Sequence, residues 1–145
     1  MRVTSEVMHI ILRFGIVYGP RSNPGSAPES VLAKVNRGEK VSIGSLNTAR
    51  RFVYIDDLVD AISILVSDPG DHNGEIYNIS GPDLISLGEI AMVSMEIIGK
   101  SVAIEDAGSS PSIRNPDSSK FNMRFGFSPN YGIRDGLSAC LDSRD

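Results

Sequence analysis

Three segments of the chain carry residue types at spacings that suit chemistry, and each has a plainer structural reading beside it. In residues 13–21, RFGIVYGPR, an apolar run stops at Gly19-Pro20 and opens into a loop. Open α/β sheets bind ligands at such carboxyl ends of strands, and Gly15 and Gly19 permit close backbone approach to a ligand. A buried strand with an ordinary turn accounts for the same residues. In residues 47–62, NTARRFVYIDDLVDAI, Arg50 and Arg51 open a strand-like run that meets Asp56 and Asp57. An arginine's planar fork makes paired charge-assisted bonds to a phosphate, whereas two solvated surface arginines are the plainer reading. Asp56 or Asp57 reads as a helix cap near the positive end of the helix dipole. In residues 112–137, Arg114 lies in a long aperiodic loop, the kind that is often functional, ahead of a capping Asp117 and a solvated Lys120.

Other chemistries find no support. His9 and His72 are far apart, and His72 reads as a turn residue in the stretch Asp71-His72-Asn73-Gly74. There is no HExxH, no CxxC and no second cysteine beside Cys140, so neither a zinc site nor an internal disulfide is expected. Cys140 itself shares a helical face with Leu137 and Leu141 and reads as packing. Gly-x-Ser-x-Gly, Gly-x-Gly-x-x-Gly and P-loop patterns are all missing. Lys and Arg total 14 against 18 Asp and Glu, a net charge of −4, which argues against non-specific nucleic-acid binding. No apolar run approaches the roughly 20 residues of a membrane span. The N-terminus carries no signal-peptide pattern, so a cytoplasmic protein is expected.

The elements that must position these residues are well punctuated. The run IILRFGIVY, residues 10–18, reads as one buried strand of a parallel sheet. A helix with Pro28 at its first position carries Val31, Leu32 and Val35 on one face and ends at Gly38. Residues 41–43 and 52–55 are short strands. Leu58, Ala61, Ile62, Leu65 and Val66 form one stripe of the next helix. Residues 75–79 are a strand. Ser86 and Glu89 form a capping box for a helix that ends at Gly99. Residues 102–104 read as a last strand, 107–116 as loop, and two short helices close the chain.

Such a first strand, with no βαβ unit before it, leaves edges unpaired. The expectation is an α/β, incomplete domain: the C-terminal portion of a Rossmann-type parallel sheet plus a small mixed α/β substrate-binding subdomain, residues 1–145 forming one partial unit.

Taken in order, ILRFGIVYGPR, RRFVYIDDLVDAI, GEIYNIS, ISLGEIA, NPDSSK and FGFSP followed by GL resemble the C-terminal half of an NAD(P)-dependent nucleotide-sugar epimerase or dehydratase. These belong to the extended branch of the short-chain dehydrogenase/reductases. The resemblance implies that Phe14 and Gly15 lie at the nicotinamide end of an NAD or NADP site. It implies that Arg50 and Arg114 contact a substrate diphosphate and that Ile16 stands where many members carry a substrate-contacting Asn. The helix over residues 28–37 and the strand at 41–43 would line the nucleotide pocket. Arg51, in place of a common Asp or Ser, would point to the opposite side of its strand and matter less. Gly44-Ser45-Leu46 replaces a common Gly-Asp-Gly.

The implied partner is a nucleoside-diphosphate sugar. The family's Gly-rich cofactor loop and Tyr-x-x-x-Lys pair have no counterpart here: Tyr18, Tyr54, Tyr77 and Tyr131 each lack a Lys four residues on. The chain therefore calls for an N-terminal half, supplied separately, or for self-association as a homo-oligomer. Two alternatives stand beside this reading: a non-catalytic module that binds a nucleotide sugar or a protein, and part of a reductase with a non-nucleotide substrate.

Abstracting hydride from a sugar carbon needs a base that takes the hydroxyl proton. The chain by itself is therefore expected to turn over no sugar. An assay with NAD and a panel of UDP-, GDP- and dTDP-sugars checks this, and turnover above a buffer control counts against it.

Overall fold

The computed structural model describes residues 9–21 and 24–142. The apolar run at the start is two strands, β1 (Ile11–Phe14) and β2 (Ile16–Tyr18), where the sequence reads as one. The break falls at Gly15 because the two halves take different partners. β1 pairs in parallel with β6 (Ile76–Ile79), and β2 pairs in parallel with β5 (Phe52–Tyr54). Two further parallel pairings join β3 (Val41–Ile43) to β8 (Ile104–Asp106) and β4 (Ala49–Arg50) to β9 (Ile113–Arg114). β7 (Ile85–Ser86) completes the last of these sheets, antiparallel to β4. The architecture is α/β with mostly parallel pairing.

Five helices cover these strands. α1 (Ala27–Asn36) begins after Ser26, so Pro28 is its second residue, where the missing N–H is still harmless. α2 (Ile55–Ser67) follows β5 with no intervening loop. α3 (Leu87–Ile98) has the Ser86–Glu89 capping box and stops at Gly99 with φ +71°. α4 (Ser119–Phe125) ends at Gly126, φ +61°. α5 (Ile133–Asp142) closes the described chain and buries Cys140 beside Leu137.

Two apolar cores result. One gathers Val31, Leu32 and Val35 of α1, Val41 and Ile43, Ile90 and Ala91 of α3, and Leu137 of α5. The other joins Leu58, Ala61 and Leu65 of α2 to Tyr77, Ile79, Phe121 and Phe127. β5 belongs to both: Phe52 and Tyr54 face the first core and Val53 the second, the period-two alternation of a strand buried on both faces.

Several sequence expectations change in this setting. Ile62 and Val66 are not in the buried stripe of α2; with Ile55 and Val59 they form a second, exposed apolar face, Val66 being 79% exposed. Neither Asp56 nor Asp57 caps α2, whose N-cap is Tyr54. Asp57 turns inward instead. Its fully buried carboxylate accepts the backbone N–H groups of Asn130 (2.7 Å) and Tyr131 (3.1 Å), fastening the approach to α5 onto α2. His72 does open a turn, its carbonyl accepting the N–H of Glu75 at 3.0 Å, but its side chain is buried. Its buried ring lies 2.9 Å from Asp68 Oδ1 and 3.2 Å from the Tyr77 hydroxyl, and the bond to His72 holds the Asp68 carboxyl below its usual range. Lys120 is exposed, as expected, and pairs there with Glu75 at 2.5 Å. The strand expected at 102–104 spans Ile104–Asp106, two residues later than its apolar residues suggest, because Val41 of β3 pairs with Ile104, and it is not the last, since β9 follows it.

Removing a buried carboxylate leaves two amide donors without partners. Asp57→Ala is expected to lower unfolding free energy by about 3 kcal/mol. Urea denaturation reads this as a lower midpoint at constant slope; an unchanged midpoint rules out the anchor.

Candidate functional site

The cleft of interest forms where strands change sheets. The stretch 49–54 is interrupted at Arg51: β4, before it, lies with β7 and β9, and β5, after it, pairs with β2. The stretch 11–18 is interrupted alongside, at Gly15, whose N–H donates to Ile79 O at 2.9 Å. A Cβ on Gly15 would overlap the carbonyl oxygen of Arg51. The glycine thus permits close approach of the protein's own backbone, where the sequence suggests approach of a ligand. Gly19 is likewise crowded from within, by the Ile55 side chain.

Phe14, Gly15, Ile16, Arg50 and Arg114 all line one cavity of about 440 Å³, together with Arg51, Asn115 and Pro116. The helix over 28–37 and the strand at 41–43 do not line it; Val31, Leu32, Val35, Val41 and Ile43 are buried in the core. Arg114 is in a strand, not a loop. β9 has only two residues, too few for any periodicity, and exists because β4 pairs with it. That pairing sets Arg50 and Arg114 directly opposite each other on adjacent strands.

The two guanidinium groups differ in how they are held. Arg50 Nη1 donates to Ala49 O (2.7 Å) and to Ser112 O, and Nη2 donates to Ser112 Oγ (3.2 Å). Arg114 is exposed, and its side chain makes no hydrogen bond or ion pair among the described residues. Like charges directly opposite on neighbouring strands are destabilising. Within the described residues no carboxylate forms an ion pair with Arg50, Arg51 or Arg114. Positive charge gathered at a concave wall raises the local concentration of anions.

Arg51 departs most from the sequence reading. Strand alternation does not govern it, because it sits between two strands. Its side chain reaches the same cleft wall, with Nε donating to Asn115 Oδ1 (2.6 Å) and Nη1 to Gly81 O (3.1 Å) and Pro82 O (2.5 Å). It also borders a second, polar cavity of about 480 Å³ beyond Asn115, where the Ser80 and Ser118 hydroxyls meet at 2.7 Å. Sequence reasoning missed this bridging role, because Arg51's partners lie thirty or more residues away.

The loop after β2 is secured by Glu29, a fully buried carboxylate. It accepts N–H groups from Gly19 (3.0 Å), Gly25 (2.6 Å) and Ser26 (3.2 Å) and pairs with Arg21 at 2.9 Å. Deep in the adjoining core, Tyr18 donates to Gly132 O, and burial pushes its phenol above the ordinary range. Neither the Tyr18 phenol nor the Glu29 carboxylate lines the cleft. Among the described residues no cluster of three or more metal-ligating side chains occurs, and no helix is long and apolar enough to cross a membrane.

A parallel α/β sheet whose strand ends open into such a cleft is the architecture that binds nucleotides at its carboxyl edge. The chain belongs to the NAD dependent epimerase/dehydratase family, which its residues 2–80 match. It is 29% identical to the low-salt glycan biosynthesis protein Agl12 of Haloferax volcanii, over 97% of this chain and 46% of that protein. It is 29% identical to the uncharacterized UDP-glucose epimerase YtcB of Bacillus subtilis, over 89% of this chain and 42% of that one. Its fold matches the Bacillus cereus UDP-glucuronic acid 4-epimerase, solved with UDP-glucuronic acid and NAD, at a TM-score of 0.83 and 28% identity. That match covers 92% of this chain and 44% of the enzyme. The chain therefore spans less than half the length of these relatives.

Gly15→Ala is expected to cost about 2 kcal/mol or more, because a backbone carbonyl must move. Gly19→Ala, whose closest contact is a side-chain methyl, Ile55 Cγ2 at 2.6 Å, rather than a backbone carbonyl, costs less. Paired urea denaturation curves check the order, and equal losses overturn it.

Proposed function

We propose that this chain is the nucleotide-sugar-binding portion of an NAD-dependent epimerase/dehydratase acting on a nucleoside-diphosphate sugar, and that it is inactive alone. One observation carries the reading. Arg50 and Arg114 stand opposite each other at a cleft wall, with no carboxylate partner among the described residues, beside Phe14, Gly15 and Ile16. A diphosphate supplies the negative charge this pair lacks, and guanidinium forks suit its oxygens. Arg50 is already oriented by Ser112, while the Arg114 guanidinium keeps its donors for the phosphate oxygens. Ile16 faces the sugar.

Bound NAD supplies the hydride acceptor for transient oxidation of the sugar. The residues present fit only one edge of it. Phe14 offers an aromatic side chain 53% exposed, next to the unsubstituted strand break at Gly15. The diphosphate of a dinucleotide needs a Gly-rich turn at a helix N-terminus, which this sequence lacks. The cofactor cradle and the catalytic base belong to an N-terminal half. Three features support docking of such a half: β1 pairs only with β6 among the described residues, Ile11 is 44% exposed, and the Ile55–Val59–Ile62–Val66 face of α2 is uncovered. The setting proposed is the cytoplasm. The apolar Ile16 favours a second reading, a reductase of the same superfamily acting on a substrate without a nucleotide.

The test is an NMR titration of the chain with UDP, which measures even millimolar dissociation constants. Arg50→Ala and Arg114→Ala are each expected to raise the constant by roughly tenfold, the loss of one charge-assisted phosphate contact. Absence of any UDP-dependent shift in the wild-type chain supports the reductase reading instead.

A further inference from the structure

We propose that Arg51 is a positioning residue of the anion site, holding Arg114 in place through Asn115. This rests on the reading of the cleft as a diphosphate site. β9 is a two-residue strand, exposed throughout, and among the described residues it pairs only with β4. Short exposed segments with few contacts open locally at little cost. Two clamps bracket Arg114 against this. Upstream, Ser112 is held by Arg50 and by its own N–H donating to Thr48 Oγ1 at 3.2 Å. Downstream, the Asn115 side chain is held by Arg51 Nε at 2.6 Å. The next hold along the chain is Asn78 Nδ2 donating to Asp117 O at 2.8 Å.

The far end of the clamp is rigid. Arg51 Nη1 takes the carbonyls of Gly81 and Pro82, where the chain leaves β6. Gly81 is buried, and a Cβ there would overlap the Phe52 carbonyl, so this segment lies directly on the doubly buried strand β5. One guanidinium thus connects buried backbone against β5 to an exposed part of the site. The connection uses the fork: Nε addresses Asn115 while Nη1 addresses the two carbonyls. A lysine keeps the charge at the cleft wall and offers one ammonium, which cannot reproduce that geometry.

Charge and positioning therefore separate by experiment. UDP titrations of the 145-residue chain are compared for Arg51→Ala, Arg51→Lys, Asn115→Ala, Arg114→Ala and the double variant Arg51→Ala/Arg114→Ala. Arg51→Ala and Asn115→Ala are each expected to raise the dissociation constant by roughly three- to tenfold, and Arg51→Lys by a similar factor. In the Arg114→Ala background, Arg51→Ala is expected to add nothing. Rescue by Arg51→Lys, or a further loss in the double variant, overturns the proposal and makes Arg51 an independent charge. Backbone 15N relaxation without ligand gives a second readout, with increased motion at residues 113–116 in Arg51→Ala; unchanged relaxation there also overturns it. If wild-type chain shows no UDP binding while the relaxation change appears, the diphosphate reading fails and the clamp stands.

Discussion

The structure depends on β5, three residues with apolar neighbours on both faces. Phe52 and Tyr54 enter one core and Val53 the other, and all three are almost wholly buried. A strand in that position cannot move toward either side without opening a core, so everything attached to it inherits its rigidity. β2 pairs along it, α2 grows from its end, and the Gly81 segment lies against the Phe52 carbonyl. Asp57, three residues beyond Tyr54, carries the same constraint to the C-terminal helix through the amides of Asn130 and Tyr131.

The cleft is a by-product of how strands leave this centre. Two neighbouring chain segments break and change sheets side by side, one at Gly15 and one at Arg51, and the backbones touch there. The break turns β4 outward to pair with β9, so Arg50 and Arg114 stand opposite each other in register at an open wall, with Ala49 buried beside them and Phe14, Ile16 and Ile113 exposed. Arg50 is itself tied to the backbone it neighbours, which fixes the orientation of its guanidinium. The charge imbalance is local: the chain is net negative, yet these arginines have no ion-pair partner among the described residues.

Much of this was legible in the residues themselves. Helix limits at Gly99 and Gly126 and the Ser86 capping box depend on near neighbours, so local chemistry is sufficient to read them. The apolar run at Phe52–Tyr54 marked β5, because a strand covered on both faces must be apolar throughout; the run at 10–18 reads as buried in the same way, yet Ile11, Phe14 and Ile16 are exposed, since the described residues leave that stretch uncovered. The ordered motifs pointed to the family and to residues 14–16, 50 and 114 as candidates. Tertiary structure alone decided the rest. One strand became two because its halves found different partners. A two-residue strand appeared where no periodicity can exist, and with it the juxtaposition of Arg50 and Arg114. Asp57, His72 and Arg51 left their expected places because their partners lie at positions 130–131, at 68 and 77, and at 81–82 and 115. A polar side chain takes whatever donor or acceptor the fold buries beside it. Except for the nearby Asp68 and Tyr77, those partners become neighbours only once the two cores have closed around β5.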